Sequence, residues 1–290
     1  MNEKRRIIFP YQLHKADWHV HPDYSLDASG TVNQYCQKAL ELDLKEICFT
    51  THYDSDPFRK DEDPYIKIEG EIVPLSEENV KRYIADVRRA SEEFNLRGLS
   101  VKVGLEVDYA PHIEEQLRFD LASLDLDYIL GAVHCLDHIA ISASNEAERY
   151  FKKKSMEETV EAYYEVLKQA VESKLFDAMA HLDIYKKYGL GFYGEDILTL
   201  HRGLVEPVLE LMVINDIGME INTGVLRKGH TEFCPSVEIL NVALEMGVRV
   251  AVFGSDAHKI EHLGKGIQEA YHVAESLKRE IEMKRKTVIR

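Results

Sequence analysis

The sequence has no long apolar run, no excess of positive charge and little cysteine, and each shortage removes a class of protein. No stretch approaches the ~18 consecutive apolar residues of a membrane span. Acidic side chains (51) outnumber basic ones (36), leaving a formal net charge of -15. That argues against a broad basic surface for nucleic acid, although a pocket for one phosphate needs only a few cations. The four cysteines, Cys36, Cys48, Cys135 and Cys234, are scattered without a CxxC spacing. A disulfide framework is therefore not expected, and a reducing cytoplasm is. At the N-terminus, basic residues lead only into Ile7, Ile8 and Phe9, too short an apolar run for a signal peptide. No linker rich in Pro, Gly or Ser divides the chain, and no internal repeat is visible. With 290 residues it is long enough to bury a sizeable core.

What is present is alternation. Short apolar runs that read as strands occupy 16–20, 46–50, 100–107, 128–134, 176–181, 218–222 and 249–255. Between them, apolar residues recur at helical spacing over 32–42, 77–94, 156–171, 197–214, 237–246 and 267–282. Several strand runs are continuously apolar, as parallel strands buried on both faces require. This pattern predicts a (β/α) barrel or a doubly wound sheet. The segment 53–77, with Pro57, Pro64, Pro74 and many charges, reads as a long loop inserted between the second strand and its helix, placed to cover a site.

The 13 histidines are unevenly placed. His19 and His21 close the first predicted strand, His52 follows the second, Glu106 ends the third, His134 the fourth and His181 the fifth. Asp256 and His258 stand just past the seventh. In a parallel barrel these C-terminal strand ends converge on one face, where active sites are built. Imidazoles and carboxylates gathered there have the composition of a metal site. A strand alternates its faces, so His19 and His21 project the same way and can hold one cation between them. Asp256 and His258 repeat that spacing, and Glu106 has two oxygens with which to bridge two ions. His14, His112, His201, His262 and His272 fall in helices or loops and receive no role, while His138, off the strand end, reads as structural.

Laid out in order, the stretches "DWHVHPDYSLDASG", "FTTHYD", "VGLEVDY", "ILGAVHCLD", "MAHLDIYKKYG", "MEINTGVLRKG" and "FGSDAHK" resemble the PHP (polymerase and histidinol phosphatase) superfamily almost end to end. Within it the chain is most similar to the stand-alone histidinol-phosphate phosphatases of histidine biosynthesis. The resemblance implies an α/β fold, a distorted (β/α)7 TIM-like barrel forming one domain over 1–290, with the loop insertion at 53–77. It implies a trinuclear cluster of zinc, manganese or iron at the strand C-terminal ends. His19, His21, Glu106 and Asp256 would hold one ion, His52, His258 and Asp27 a second, and Glu106, His134 and His181 a third. Asp27 departs from the family pattern, in which many members carry a histidine at the matching place. A carboxylate there shifts the preference toward harder ions.

The activity so implied is metal-dependent hydrolysis of L-histidinol phosphate to L-histidinol and phosphate. A metal-bridging hydroxide would attack phosphorus directly, without a phosphoenzyme. Clustered divalent ions suit this chemistry, since they lower the pKa of bound water toward ~7, neutralise phosphate charge and align the nucleophile. Asp256 or His258 is placed to serve, through a bound water, in passing a proton to the leaving group. Arg227 and Lys228, in "GVLRKG" after the sixth strand, are placed to clamp the phosphate. Arg227 is the better candidate because its fork matches two phosphate oxygens. His230 shares that loop, and Tyr185, Lys186 and Lys187 follow His181 as weaker candidates. Asp54 and Asp56 are candidates to meet the substrate amine. Asp17, Asp183 and Asn222 are candidates to orient the ligand rings from behind. The expected partner is a small phosphate ester, with no nucleic acid and no membrane, and the protein a cytoplasmic monomer or homodimer.

Three rival readings remain. One keeps the fold and metals but is a phosphatase or phosphodiesterase for another substrate, a small metabolite, a nucleotide or phosphotyrosine. A second is a metal-binding barrel without turnover. A third is an amidohydrolase-type site, which also places HxH on its first strand but generally has a lysine bridge where this chain has Glu106.

Overall fold

The computed structural model describes residues 13–288. The N-terminal basic and apolar stretch lies outside the described residues, as do both ends of the 1–290 range. Seven parallel strands form one sheet in chain order: β1 (Ala16–Val20), β2 (Glu46–Tyr53), β3 (Ser100–Asp108), β4 (Tyr128–Ala132), β5 (Ala178–Met179), β6 (Gly218–Asn222) and β7 (Val250–Gly254). The order never reverses, which sets the doubly wound alternative aside. Past the end of β7 the chain comes back to β1. Ala257 bridges Val20 in parallel. The His21 amide donates to the Ala257 carbonyl at 2.9 Å and the Ala257 amide to the His19 carbonyl at 3.3 Å. The result is a nearly closed barrel with helices around it.

The helices are α1 (Val32–Glu41), α2 (Glu77–Asn95), α3 (Glu114–Ala122), α4 (Ala147–Phe151), α5 (Met156–Ser173), α6 (Lys186–Tyr193), α7 (Val205–Asn215), α8 (Val237–Met246) and α9 (Ile267–Val288). Local chemistry sets their starts. Thr31 with Gln34 and Ser155 with Glu158 make capping boxes for α1 and α5, each satisfying amides that a helix start leaves unpaired. The predicted helix 197–214 is split instead. Gly203 takes a left-handed φ of 83°, and the helix restarts at Val205, where Pro207 fits a first turn but not an interior. The fifth predicted strand shrinks from 176–181 to Ala178–Met179.

Strand alternation sorts the side chains. The odd-numbered residues of β3 pack outward into the main core, where Val101, Val103, Leu105 and Val107 are buried under the helices. Trp18, Cys48, Tyr128, Leu130, Ala178 and Val252 form a second, smaller cluster between the strands. Continuing the same alternation on β2, β3 and β6 carries His52, Glu106, Glu220 and Asn222 to the strand C-terminal ends. On β1 the register shifts between Asp17 and Val20. Such a bulge re-aims side chains, and it brings His19 to the site directly after Trp18.

The insertion is more ordered than a loop. It holds a 3-10 turn (Pro57–Arg59) and a hairpin of Tyr65–Ile68 with Glu71–Pro74. Ile66 and Ile68 are buried. Lys67 ties the hairpin to the loop after β1, its amide donating to the Tyr24 carbonyl at 2.9 Å and its Nζ to the Ala28 carbonyl at 2.8 Å.

Candidate metal centre

Glu106, 1% exposed, sits in the middle of the C-terminal face. Its Oε1 lies 2.9 Å from His181 Nε2 and 3.3 Å from His134 Nε2. Its Oε2 lies 3.2 Å from His19 Nε2, 3.5 Å from His21 Nε2 and 3.1 Å from His52 Nδ1. Asp256 Oδ1 is 3.4 Å from His21 Nε2, 3.7 Å from His19 Nε2 and 3.3 Å from His258 Nδ1. Asp27 reaches in from the loop after β1, 3.2 Å from His258 Nε2 and 3.8 Å from His52 Nε2. The predicted ligands are thus brought together from separate strand ends and the loops that follow them. Asp256 holds a left-handed φ of 54°, a costly conformation for a non-glycine residue that tends to mark functional sites.

A second layer aims these rings, and two members of it, Glu220 and Ser25, are not among the residues expected from the sequence. Glu220, buried on β6, lies 2.6 Å from His19 Nδ1 through Oε1 and accepts the His181 amide at 3.1 Å through Oε2. Asn222 Nδ2 donates to Glu220 at 3.2 Å and stands 3.3 Å from His19 Nδ1. Gly254 makes the room. A Cβ there would run into Glu220 Oε1 and His19 Cβ. Ser25, also unforeseen, lies 3.3 Å from His21 Nδ1 and bonds Thr51 Oγ1 at 2.6 Å. The signal for Glu220 was available: a carboxylate inside an apolar strand run, two residues before Asn222 and so on the same face.

Of the proposed orienting residues, Asn222 touches a ligand ring. Asp17 and Asp183 do not. Asp17 staples the barrel seam, accepting the Ser255 and Gly264 amides at 2.9 Å each. Asp183 pairs with the buried Lys186 at 2.9 Å, which also removes Lys186 from the open face. Arg227 directs Nη1 to the Ser255 carbonyl and Nη2 to the Asp256 carbonyl, both at 2.7 Å, and so braces the left-handed turn of Asp256. Lys228 is exposed in the same loop, and His230 Nε2 lies 2.9 Å from the Lys187 carbonyl.

The donor chemistry fits divalent metal ions. Nε2 of His19, Nε2 of His21 and Nδ1 of His52 are buried without a properly directed hydrogen bond, an arrangement that is costly unless a cation completes it. Overlapping triples of donors, His19–His21–Asp256, His21–His52–His258 and His52–Glu106–His134, each lie within 4.8 Å.

Burial disfavours charge on His52, His134, Glu106 and Asp256, yet their mutual field reverses the outcome for each. Against its burial, His52 is pushed up to about 10, mainly by Glu106 and then by Asp27 and Asp54. His134 is pushed up to about 9, by Glu106 before Asp108 and Asp54. Glu106 and Asp256, also against their burial, are held well below the ordinary carboxylate range by the surrounding imidazoles. His21 moves well down, through burial and repulsion from His258 and His52. Without metal, therefore, His52 and His134 keep protons at pH 7 that free histidine, near 6.5, would mostly have lost. Metals need the neutral ring, so uptake must expel those protons, and affinity must fall as pH falls. Zinc added to the stripped protein at pH 7 in weak buffer is expected to release more than one proton per chain. Uptake without acidification would mean that the rings were already neutral.

The PHP domain family matches residues 17–224. A Deinococcus radiodurans protein named "Probable histidinol-phosphatase" is 30% identical over 248 residues, 86% of this chain and 88% of that protein. The histidinol-phosphatase of Bacillus subtilis is 27% identical, over 87% of this chain and 96% of its own. Among solved structures, histidinol phosphate phosphatase from Lactococcus lactis, complexed with zinc, L-histidinol and phosphate, superposes with a TM-score of 0.71 at 20% identity, covering 92% of this chain and 94% of that one.

Proposed function

Because this chain belongs to the PHP domain family, we propose that it hydrolyses L-histidinol phosphate to L-histidinol and phosphate. The observation that carries the reading is Glu106, one buried carboxylate whose two oxygens are shared among five imidazoles. The substrate is supported by relatives named histidinol-phosphatase that align over most of their length.

In this reading His19, His21, Glu106 and Asp256 hold one ion, His52, His258 and Asp27 a second, and Glu106, His134 and His181 a third. The ions are zinc, manganese or iron. Bound there, divalent ions would acidify water to near neutrality and draw charge from the phosphate. The chain's own groups do the rest. Glu220 and Asn222 fix the His19 ring, and Ser25 fixes His21. Asp256 and His258 keep part of their side chains open to solvent, at 19% and 23%, so either can orient a bound water that passes a proton to the departing alkoxide. Arg227 sets the Asp256 turn, and we propose that with Lys228 and His230 it also clamps the phosphate.

No described helix is long and apolar enough to cross a membrane. The same reading takes 1–290 as one cytoplasmic domain, monomeric or homodimeric, without a nucleic-acid partner. The main core running from Val20 to Ala274 supports the single domain.

The test is direct. Protein purified without chelator should carry two to three transition-metal ions per chain and release phosphate from histidinol phosphate far faster than from an aryl phosphate. Equal or faster turnover of a nucleotide or a phosphotyrosine peptide would move the substrate elsewhere in the family.

A further inference from the structure

Three side chains that the centre does not use converge at the mouth of the barrel. Asp56, in the insertion after β2, is 7% exposed. His112 belongs to the short 3-10 turn Pro111–Ile113 after β3, and His138 to the turn of the small hairpin after β4, Cys135–Leu136 with Ile139–Ala140. His112 Nε2 lies 2.9 Å from Asp56 Oδ1 and His138 Nδ1 lies 2.8 Å from Asp56 Oδ2. The three donors all lie within 4.8 Å of one another.

The surroundings hold this geometry in place. Asp56 Oδ1 accepts the Phe58 amide at 2.9 Å. The Phe58 ring, itself 69% exposed, lies over both imidazoles, its centroid 5.3 Å from His112 and 4.6 Å from His138. Arg59 Nη1 donates to the His138 carbonyl at 2.8 Å, while its Nη2 holds Glu146 at 2.8 Å. His138 and the preceding Asp137 both adopt left-handed φ, 60° and 48°. A two-residue hairpin turn of that kind favours Asn-Gly, yet this chain places there a histidine that reaches Asp56.

We propose that Asp56, His112 and His138 form a separate divalent transition-metal site that clamps the insertion to the loops following β3 and β4. Two histidines and one carboxylate on one side of an ion, with its remaining positions open to water, suit zinc, iron or manganese. The histidines give the ion a way in, since 34% and 43% of their side-chain surface is exposed. The close His–Asp contacts resemble those of the main centre, where nitrogen and carboxylate oxygen approach to 2.9–3.5 Å around Glu106. Each donor also sits in the loop that follows a strand bringing a ligand to the main centre, after His52, Glu106 and His134, so the clamp ties together three walls of the site.

The experiment is equilibrium dialysis against low-micromolar free Zn2+ followed by elemental analysis. Wild-type protein is expected to retain one zinc per chain more than the H112Q/H138Q variant. The E106Q variant, emptied at the main centre, should still retain this zinc, which separates this site from the centre proposed above. Equal zinc in wild type and H112Q/H138Q would overturn the proposal and leave only hydrogen-bonded pairs. Should the double variant fold poorly, limited proteolysis gives the second reading. Zinc should slow cleavage within the insertion of wild type and leave that of H138Q unchanged. The same zinc effect in both proteins would count against the clamp.

Discussion

Glu106→Gln is expected to lower kcat/KM for histidinol phosphate by at least about a thousandfold and to strip most of the bound metal, while the barrel survives. The side chain keeps its shape, but one acceptor oxygen becomes an NH2 that faces imidazole nitrogens. Oε1 serves His134 and His181 and Oε2 serves His19, His21 and His52, so either orientation of the amide sets a donor against ligand nitrogens on one side. The charge is lost as well. A bound divalent ion contributes several kcal/mol of transition-state stabilisation, and each ~1.4 kcal/mol is tenfold in rate, which places the floor near a thousandfold. The strand should persist because its outward residues, Val103, Leu105 and Val107, remain packed in the main core. Circular dichroism, metal content and kcat/KM on one preparation check all three points. A folded variant with full metal and full activity would remove Glu106 from the centre of the site.

Much of this centre was legible in the sequence because parallel barrels collect strand ends on one face. Once the apolar runs were placed, His19, His21, His52, Glu106, His134, His181, Asp256 and His258 had to converge, and they do. The strands and α1, α2, α5 and α8 were readable for the same reason, since periodicity and capping chemistry agreed there. What periodicity could not show were features decided by tertiary contact. The bulge on β1 depends on its pairing with β2. Residues 53–77 looked like a loop because of their prolines and charges, yet Arg59 is buried on Glu146 and Lys67 is bonded to the loop after β1. Helix α3 carries only Leu117 and Leu121 as buried residues, too weak a stripe to read. His112 and His138 looked idle because their partner, Asp56, is remote in sequence and meets them only in the folded chain.

Glu220 shows most clearly what a ligand inventory misses. Glu220→Gln is expected to weaken metal binding and lower kcat/KM by about 10–100-fold, the usual cost of losing a carboxylate behind a metal-binding histidine. With its Nδ1 proton given to Glu220 at 2.6 Å, His19 would keep Nε2 free for an ion held beside Glu106 and Asp256. The carboxylate makes that nitrogen more basic and fixes the tautomer. Its second oxygen holds the amide of His181, so one side chain aims ligands from two strands. A glutamine keeps one acceptor but must turn its NH2 toward either His19 Nδ1 or the His181 amide, and both of those are donors. Packing leaves it nowhere else to go, because Gly254 gives just enough space for the native carboxylate. The loss should differ in kind from that of Glu106→Gln. Every metal ligand remains, so saturating metal should restore much of the activity of Glu220→Gln and none of that of Glu106→Gln. Titrating activity against free metal ion in both variants separates the two. If added metal leaves Glu220→Gln as inactive as before, Glu220 acts on the reaction itself and not by aiming His19; an unchanged metal affinity would show that the ring needs no help from behind.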